Sequence, residues 1–188
     1  GPDINLSDGT FKVMEDGVIR YGLYGIKNVG EQAVDSILET RKSQGPFKSF
    51  FHFMENADLR LCNRRMIESL IHAGCFNSLG YTRKALIESL EMAILHAQKS
   101  QEDKQSGQAS LFGMIEESRD VSEPIPRGAN VGEYAEADIL RFEKDVLGFY
   151  FSGHPLEKYE RILKSIKAVP VAALPSRASG SQVEIAGV

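Results

Sequence analysis

With 188 residues, 42% of them apolar, and a formal net charge of −4, the chain can bury one ordinary core with a smaller unit beside it. No apolar run approaches the roughly 20 residues that cross a bilayer, and no charged-then-apolar leader opens the sequence, so no membrane contact and a cytoplasmic location are expected. The acidic balance excludes nucleic-acid binding through bulk charge. Its distribution is uneven, however: residues 17–65 carry eight Lys/Arg against five Asp/Glu, whereas residues 101–145 carry five against eleven. Two cysteines, Cys62 and Cys75, make no disulfide framework in a chain this long and are expected as free buried thiols.

The elements follow in chain order. "FKVMEDGVIRYG" predicts a β-hairpin: Phe11 and Val13, an Asp16-Gly17 turn, then Val18 and Ile19. Beyond it the apolar period becomes helical, and helices are predicted over 21–27, 31–42, 48–56, 63–73, 82–98, 132–147 and 156–166. Thr82 is the expected N-cap of the fifth, whose Leu86, Leu90 and Ile94 recur along one face. Residues 99–110 hold one apolar side chain, Ala109, and read as a linker, continued by "RDVSEPIPRGAN" at 119–130. The final residues alternate Val183, Ile185 and Val188 with small or polar ones, which predicts the start of a β-strand and suggests an excised piece. The expected fold is mainly α. A short N-terminal β-hairpin occupies residues 1–30, a helical domain 31–98, a linker 99–130, and a helical pair leading into a β unit 131–188.

One step carries chemistry. In "GIKNVGEQAVDSIL" the helical pattern stops at Asn28-Val29-Gly30 and resumes at once. Leu23 and Ile26 before it, and Ala33, Val34, Ile37 and Leu38 after it, place two short helices across a tight turn. Asn28 tolerates the left-handed conformation that such a turn needs, Val29 plugs the space between the helices, and Gly30 opens the second. The N–H groups of residues 29–32 are then left pointing outward, suited to one DNA phosphate at a helix N-terminus. Such contact reads backbone and not bases, so an acidic chain can bind DNA with few cations. Lys27 and the pair Arg41 and Lys42 would add charge, and Glu31 would oppose it. A plain helix C-cap explains the same residues. A second unit repeats the layout in "NRRMIESLIHAG": Asn63 as N-cap, Arg64 and Arg65 in the first turn, Met66, Leu70 and Ile71 as apolar face, Gly74 as stop. Arginines in a first turn oppose the helix dipole. An external anion, Glu68 or solvation would relieve that cost.

Taken together, "PDINLSDGTF", "IRYGLYGIKNVGEQAV", "GPFKSFFHF", "NRRMIESLIHAGCFNSLG", "GQASLFG" and "LGFYFSGHPLEKY" resemble, in order and across nearly the whole chain, the C-terminal part of the C-family replicative polymerases, the α subunits of bacterial DNA polymerase III. The resemblance implies that residues to about 30 end the fingers region. It implies that the next part is a tandem helix-hairpin-helix domain on duplex DNA, and that Val183 opens an OB-fold. It places the catalytic aspartates, and the Mg2+ they use, upstream of this segment, so no catalytic residue, metal site or cofactor is expected here. Other replicase subunits would be met through the parent chain. It also implies an internal sliding-clamp-binding motif, which Gln108, Leu111 and Phe112 match in "QASLF". Adjacent Leu and Phe after a polar tether suit an apolar pocket on a partner, with the Gln amide supplying hydrogen bonds. Folding back of the pair with Met114 and Ile115 is the alternative. The family often has Gly where this chain has Asn28.

Other constellations carry less. Cys62, His72 and Cys75 lack a fourth ligand for structural zinc. Ser152 and His154 are sequence neighbours without an orienting carboxylate, so "SGHP" reads as a turn with Pro155 opening the last helix. Glu133, Glu136, Asp138, Glu143 and Asp145 read mostly as a solvated face, opposite a buried one of Ala135, Ile139, Phe142 and Val146. Phe47, Phe50, Phe51 and Phe53 read as core. Two rival functions stand beside the replicase reading: a helix-hairpin-helix module of a repair enzyme or ligase, and a structural scaffold that positions the fingers. An error-prone relative of the same family is a further variant.

Overall fold

A computed structural model of the chain describes residues 1–15, 17–105 and 131–187, and among them the architecture is mainly α-helical with one short β-hairpin. Gln108, Leu111 and Phe112 lie outside the described residues, as does Asp16 of the hairpin turn. Strands β1 (Lys12–Val13) and β2 (Ile19–Arg20) pair antiparallel, with Lys12 opposite Arg20 and Val13 opposite Ile19.

The helix predicted over 21–27 is not formed. Leu23–Gly25 makes one 3-10 turn between extended Gly22 (ψ 144°) and Ile26 (ψ 125°), and the Leu23 and Tyr24 N–H groups donate to the carbonyls of Asp8 (3.0 Å) and Gly9 (2.9 Å). Gly22 makes that path possible. A Cβ there would stand 2.3 Å from the Thr10 carbonyl carbon, so only glycine fits so close an approach.

The later helices sit near their predicted places. Helix α1 (Glu31–Gln44) buries Ala33, Val34 and Ile37 and stops at Gly45, whose φ is +87°. Helix α2 (Phe50–Asn56) is capped by the Ser49 hydroxyl, which accepts from the His52 N–H at 3.0 Å. Helix α3 (Arg64–His72) is capped by Asn63, whose Oδ1 accepts from the Met66 N–H at 3.0 Å, and closes at Gly74 with φ +81°. The Thr82 hydroxyl caps helix α4 (Arg83–Gln105) through the Ala85 N–H, as its sequence predicts.

Helix α4 runs beyond its predicted end into the stretch read as linker. At 23 residues it is about 34 Å long, and its last turns are held to the end of α2. Gln101 Nε2 donates to the Ala57 (2.9 Å) and Glu55 (3.3 Å) carbonyls, and His96 Nε2 lies 2.7 Å from the Glu55 carboxylate. These carbonyls at the C-terminal end of α2 would otherwise lack donors, so polar side chains here serve a tertiary contact. The interior joins Ile26, Val29, Val34, Ile37, Met66, Leu70, Leu86 and Leu90 to a group of phenylalanines, as predicted for Phe47, Phe50, Phe51 and Phe53. Phe76 meets Phe50 and Phe53 edge-on at 5.1 and 5.0 Å. Cys62 and Cys75 are free and buried. Burial pushes the Cys62 thiol up to about 12 and raises Cys75 further still.

Helix α5 (Glu136–Leu147) starts later than predicted and is rotated by about one residue. Its buried side chains are Leu140, Glu143, Val146 and Leu147, while Ala135 is exposed. The rotation follows from Glu143, which is fully buried rather than solvated. Its carboxylate accepts from Arg83 Nη2 at 2.9 Å, from the Phe151 and Ser152 N–H groups at 2.8 Å each, and from the Ser152 hydroxyl. Burial alone would raise the Glu143 carboxyl, but these donors together hold it below its ordinary value. Glu133 also leaves the expected face: it accepts from the Arg83 and Lys84 N–H groups at 2.8 and 3.3 Å, covering the α4 N-terminus. Pro155 precedes a 3-10 turn (Glu157–Tyr159) and helix α6 (Glu160–Ser165) rather than opening the helix. The predicted strand from Val183 pairs with no other strand among the described residues. One backbone bond, Val169 N–H to Glu184 O at 2.8 Å, holds that stretch. Among the described residues no helix is long and apolar enough to cross a membrane, and no cluster of His, Cys, Asp and Glu could hold a metal ion.

Candidate nucleic-acid interface

The turn at residues 27–30 has the conformation its composition predicts. Asn28 adopts φ +66°, while Gly30 is the N-cap of α1 with φ −77° and ψ 147°. The left-handed step therefore falls on the asparagine, and the glycine is not needed for backbone freedom. Val29 is buried beneath the turn and its N–H donates to Ile26 O at 3.2 Å. The Ala33 and Val34 N–H groups both donate to Gly30 O at 3.1 Å. The N–H groups of Gly30, Glu31 and Gln32 have no partner among the described residues, and no side chain caps α1. A Cβ on Gly30 would meet nothing within 4 Å, so the side of Gly30 where a side chain would stand is open. Free donors at a positive helix pole are the elements that an anion site would require.

The surroundings fix this turn from two sides. The Lys27 N–H donates to Val146 O at the end of α5 at 2.9 Å. Asn28 Nδ2 donates to Ser69 Oγ on α3 at 3.1 Å. The Tyr21 hydroxyl, beneath it, bonds Gly25 O at 2.9 Å and Leu147 O at 3.3 Å. Sequence reasoning missed Ser69 and Val146. Nothing local marks a serine within α3 or the carbonyl of a distant helix as supports for this turn.

The cations divide sharply. Lys27 is exposed, adjoins the turn and has no ion-pair partner among the described residues. Arg41 and Lys42, expected beside the turn, lie at the other end of α1, about 17 Å along its axis. Arg41 is turned inward: Nη1 donates to the Ser7 (2.7 Å) and Ile4 (3.1 Å) carbonyls, and Nη2 approaches Asp8 at 3.5 Å. Its guanidinium closes the N-terminal segment onto α1. Lys42 is exposed there. Arg64 pairs with Glu68 at 2.9 Å and with Glu91 of α4. Arg65 is exposed and has no partner among the described residues. Glu31 stands in the first turn of α1, exposed, and opposes an anion. Of the first-turn arginines, α3 therefore leaves one available. His72 stacks on Phe142 at 4.1 Å and is held neutral-prone by burial, consistent with a packed side chain.

A family model for the helix-hairpin-helix motif matches residues 1–86. The DNA polymerase III subunit alpha of Borreliella burgdorferi is 38% identical over 190 residues, covering 100% of this chain and 16% of its own length. That of Deinococcus radiodurans is 42% identical over 162 residues, covering 85% of this chain and 12% of its own. That of Caulobacter vibrioides is 36% identical over 177 residues, covering 94% and 15%. The chain thus spans about a sixth of the length of the relatives it matches. By these matches it belongs to the DNA polymerase III alpha-subunit family, as a segment that carries a helix-hairpin-helix motif.

Proposed function

We propose that this segment holds duplex DNA for a replicative polymerase by seating a backbone phosphate on the Gly30, Glu31 and Gln32 N–H groups. The observation that carries this reading is the uncapped, open N-terminus of α1, held in place by the left-handed Asn28 and closed behind by Val29. A phosphate there receives donors that no side chain has taken, and its contact is independent of sequence. Lys27 adds a cation at the rim. The segment's part is grip rather than chemistry, and the metal-dependent step of the parent belongs to residues outside it.

A second contact, to the sliding clamp, is proposed through Gln108, Leu111 and Phe112. A polar run with an adjacent Leu-Phe pair supports it, since such a pair suits a partner's apolar pocket. Two weak contacts on one chain raise each other's effective concentration, which is how processivity would arise. Val183 and the residues after it would open an OB-fold, in keeping with their alternation and with the exposure of Ile185.

Two titrations test the reading. In the first, the chain is titrated against a primer–template duplex at rising salt. Absence of salt-dependent binding would leave only a scaffolding role. In the second, a bacterial sliding clamp is titrated with the chain and with a Leu111→Ala/Phe112→Ala variant of equal helicity. Loss of binding in the variant supports the tether and separates a replicase segment from a repair module. Equal binding by both rejects it.

A further inference from the structure

The two sides of α4 differ. Leu86, Leu90, Ala93 and Ala97 face the interior and are fully buried. Half a helix turn away, Glu88, Met92, Leu95 and Lys99 follow at intervals of four, three and four residues, the spacing that sets side chains in one row. All four border one groove along the outside of the helix. Met92 is half-buried, but Leu95 is 59% exposed. Glu88 and Lys99 are exposed, and neither makes a salt bridge among the described residues. The Ser89 hydroxyl, buried and without a hydrogen-bond partner among the described residues, borders the same groove. Read from either end, the row runs charge, apolar, apolar, charge, and its two charges have opposite sign. Such a row is complementary to its own reverse.

We infer that this row is a contact between two copies of the chain, with α4 lying antiparallel against α4 about a twofold axis that passes between Ala93 and Ile94. That arrangement sets Met92 of each copy beside Leu95 of the other, and Glu88 of each beside Lys99 of the other. A parallel pair would set Glu88 against Glu88 and Lys99 against Lys99, so the charges select the direction. The contact uses the same patch on both copies and therefore closes at two. Its driving force is the burial of Leu95 against Met92, and its ends are fixed by two ion pairs. Glu91, on the flank of the row, stays with Arg64 of its own copy. The seam is about 17 Å long and about 10 Å wide, far short of the roughly 1,200 Å2 that a stable complex buries, so the association is weak and concentration-dependent. The inference is independent of the duplex reading.

The test is sedimentation equilibrium of the full 188-residue chain at low salt over about 10 to 1,000 μM, alongside Leu95→Glu, Glu88→Lys, Lys99→Glu and the double variant Glu88→Lys/Lys99→Glu. Thermal melts of all of them should match, because the changed side chains are exposed. The parent is expected to rise from the mass of one chain toward that of two. Leu95→Glu is expected to stay at one. Each single reversal turns two attractive exposed pairs into two repulsive ones and is expected to weaken association about 10- to 100-fold. The double variant restores both pairs with their signs exchanged and is expected to associate as the parent does. The single reversals move the net charge in opposite directions, so weakening of one with strengthening of the other would reflect net charge and overturn the inference. Dissociation by Leu95→Glu with neither reversal having an effect overturns the antiparallel register. A parent chain that stays at one mass throughout overturns the inference and leaves the row to another occupant. Association that survives every variant overturns it as well and puts the dimer on another surface.

Discussion

Gly30→Asp is the sharpest perturbation of the proposed grip, because it moves stability and binding in opposite directions. The backbone at Gly30, φ −77° and ψ 147°, is one any residue adopts, and the new Cβ meets no atom within 4 Å. Aspartate is a better N-cap than glycine by a few tenths of a kcal/mol, and its charge at the helix N-terminus contributes about 0.3–1 kcal/mol more. The variant is thus expected to melt at an equal or slightly higher temperature. Its carboxylate takes the Gln32 or Ala33 N–H that the cap position addresses, and it stands where the phosphate would sit. Two like charges about 4 Å apart repel by ~1 kcal/mol at the dielectric of water and by ~4 kcal/mol at an effective value of 20. For a rim position a loss of ~1–3 kcal/mol follows, or about 5- to 150-fold in duplex affinity at low salt. Fluorescence anisotropy on a labelled duplex reads the binding and a thermal melt reads the fold. Gly30→Ala, which adds a methyl into the same open space without charge, should lose far less. Parent-like affinity in a Gly30→Asp variant that melts no lower would refute the phosphate seat at α1.

Two further outcomes test the frame that holds this seat. The Glu143 carboxyl lies below its ordinary value in the folded chain, so it adds stability that is present above the unfolded value near 4.5 and is lost as pH falls through the lowered folded value. Glu143→Gln should lower the melting temperature at pH 7 and flatten its acid decline, since removing one partner of a buried pair costs about 3–5 kcal/mol; a parent-like acid limb in the variant would refute that assignment. Cys62 and Cys75 are buried, with the Cys62 thiol pushed up to about 12, so an aromatic disulfide reagent at pH 8 should react with neither until denaturant unfolds the chain. Fast reaction of either thiol in the native chain would contradict the packing around α3.

Much of this arrangement was legible residue by residue where the determinant is local. Asn63 and Thr82 cap the helices their positions predict, Asn28 takes the left-handed step, and the phenylalanines between 47 and 53 form the core. Three of the misreadings share one cause, a partner distant in sequence. Residues 21–27 have a helical period, yet Gly22, held against the Thr10 backbone, and Ile26 are extended on either side of a single turn. Residues 99–105 look like linker, yet Gln101 finishes the end of α2. Glu143 looks solvated until Arg83 is placed beside it. The site divides the same way. The turn's geometry is written in three adjacent residues, whereas the inward course of Arg41, the pairing of Arg64 and the availability of Arg65 depend on which helices meet.

The bonds behind the turn also determine when the proposed grip becomes available. The Tyr21 hydroxyl and Leu147 carbonyl are 126 residues apart along the chain, and the Lys27 amide depends on Val146 in the same distant helix. Closing a loop of that size costs entropy that local helices never incur, and contacts of such separation form late in folding. The hairpin can therefore curl early, but it is braced only once α5 has arrived. A ribosome must release most of this chain before the turn proposed to seat DNA is fully braced. A single backbone cut between the two parts would convert that brace from an intramolecular contact into one that two pieces must find by diffusion.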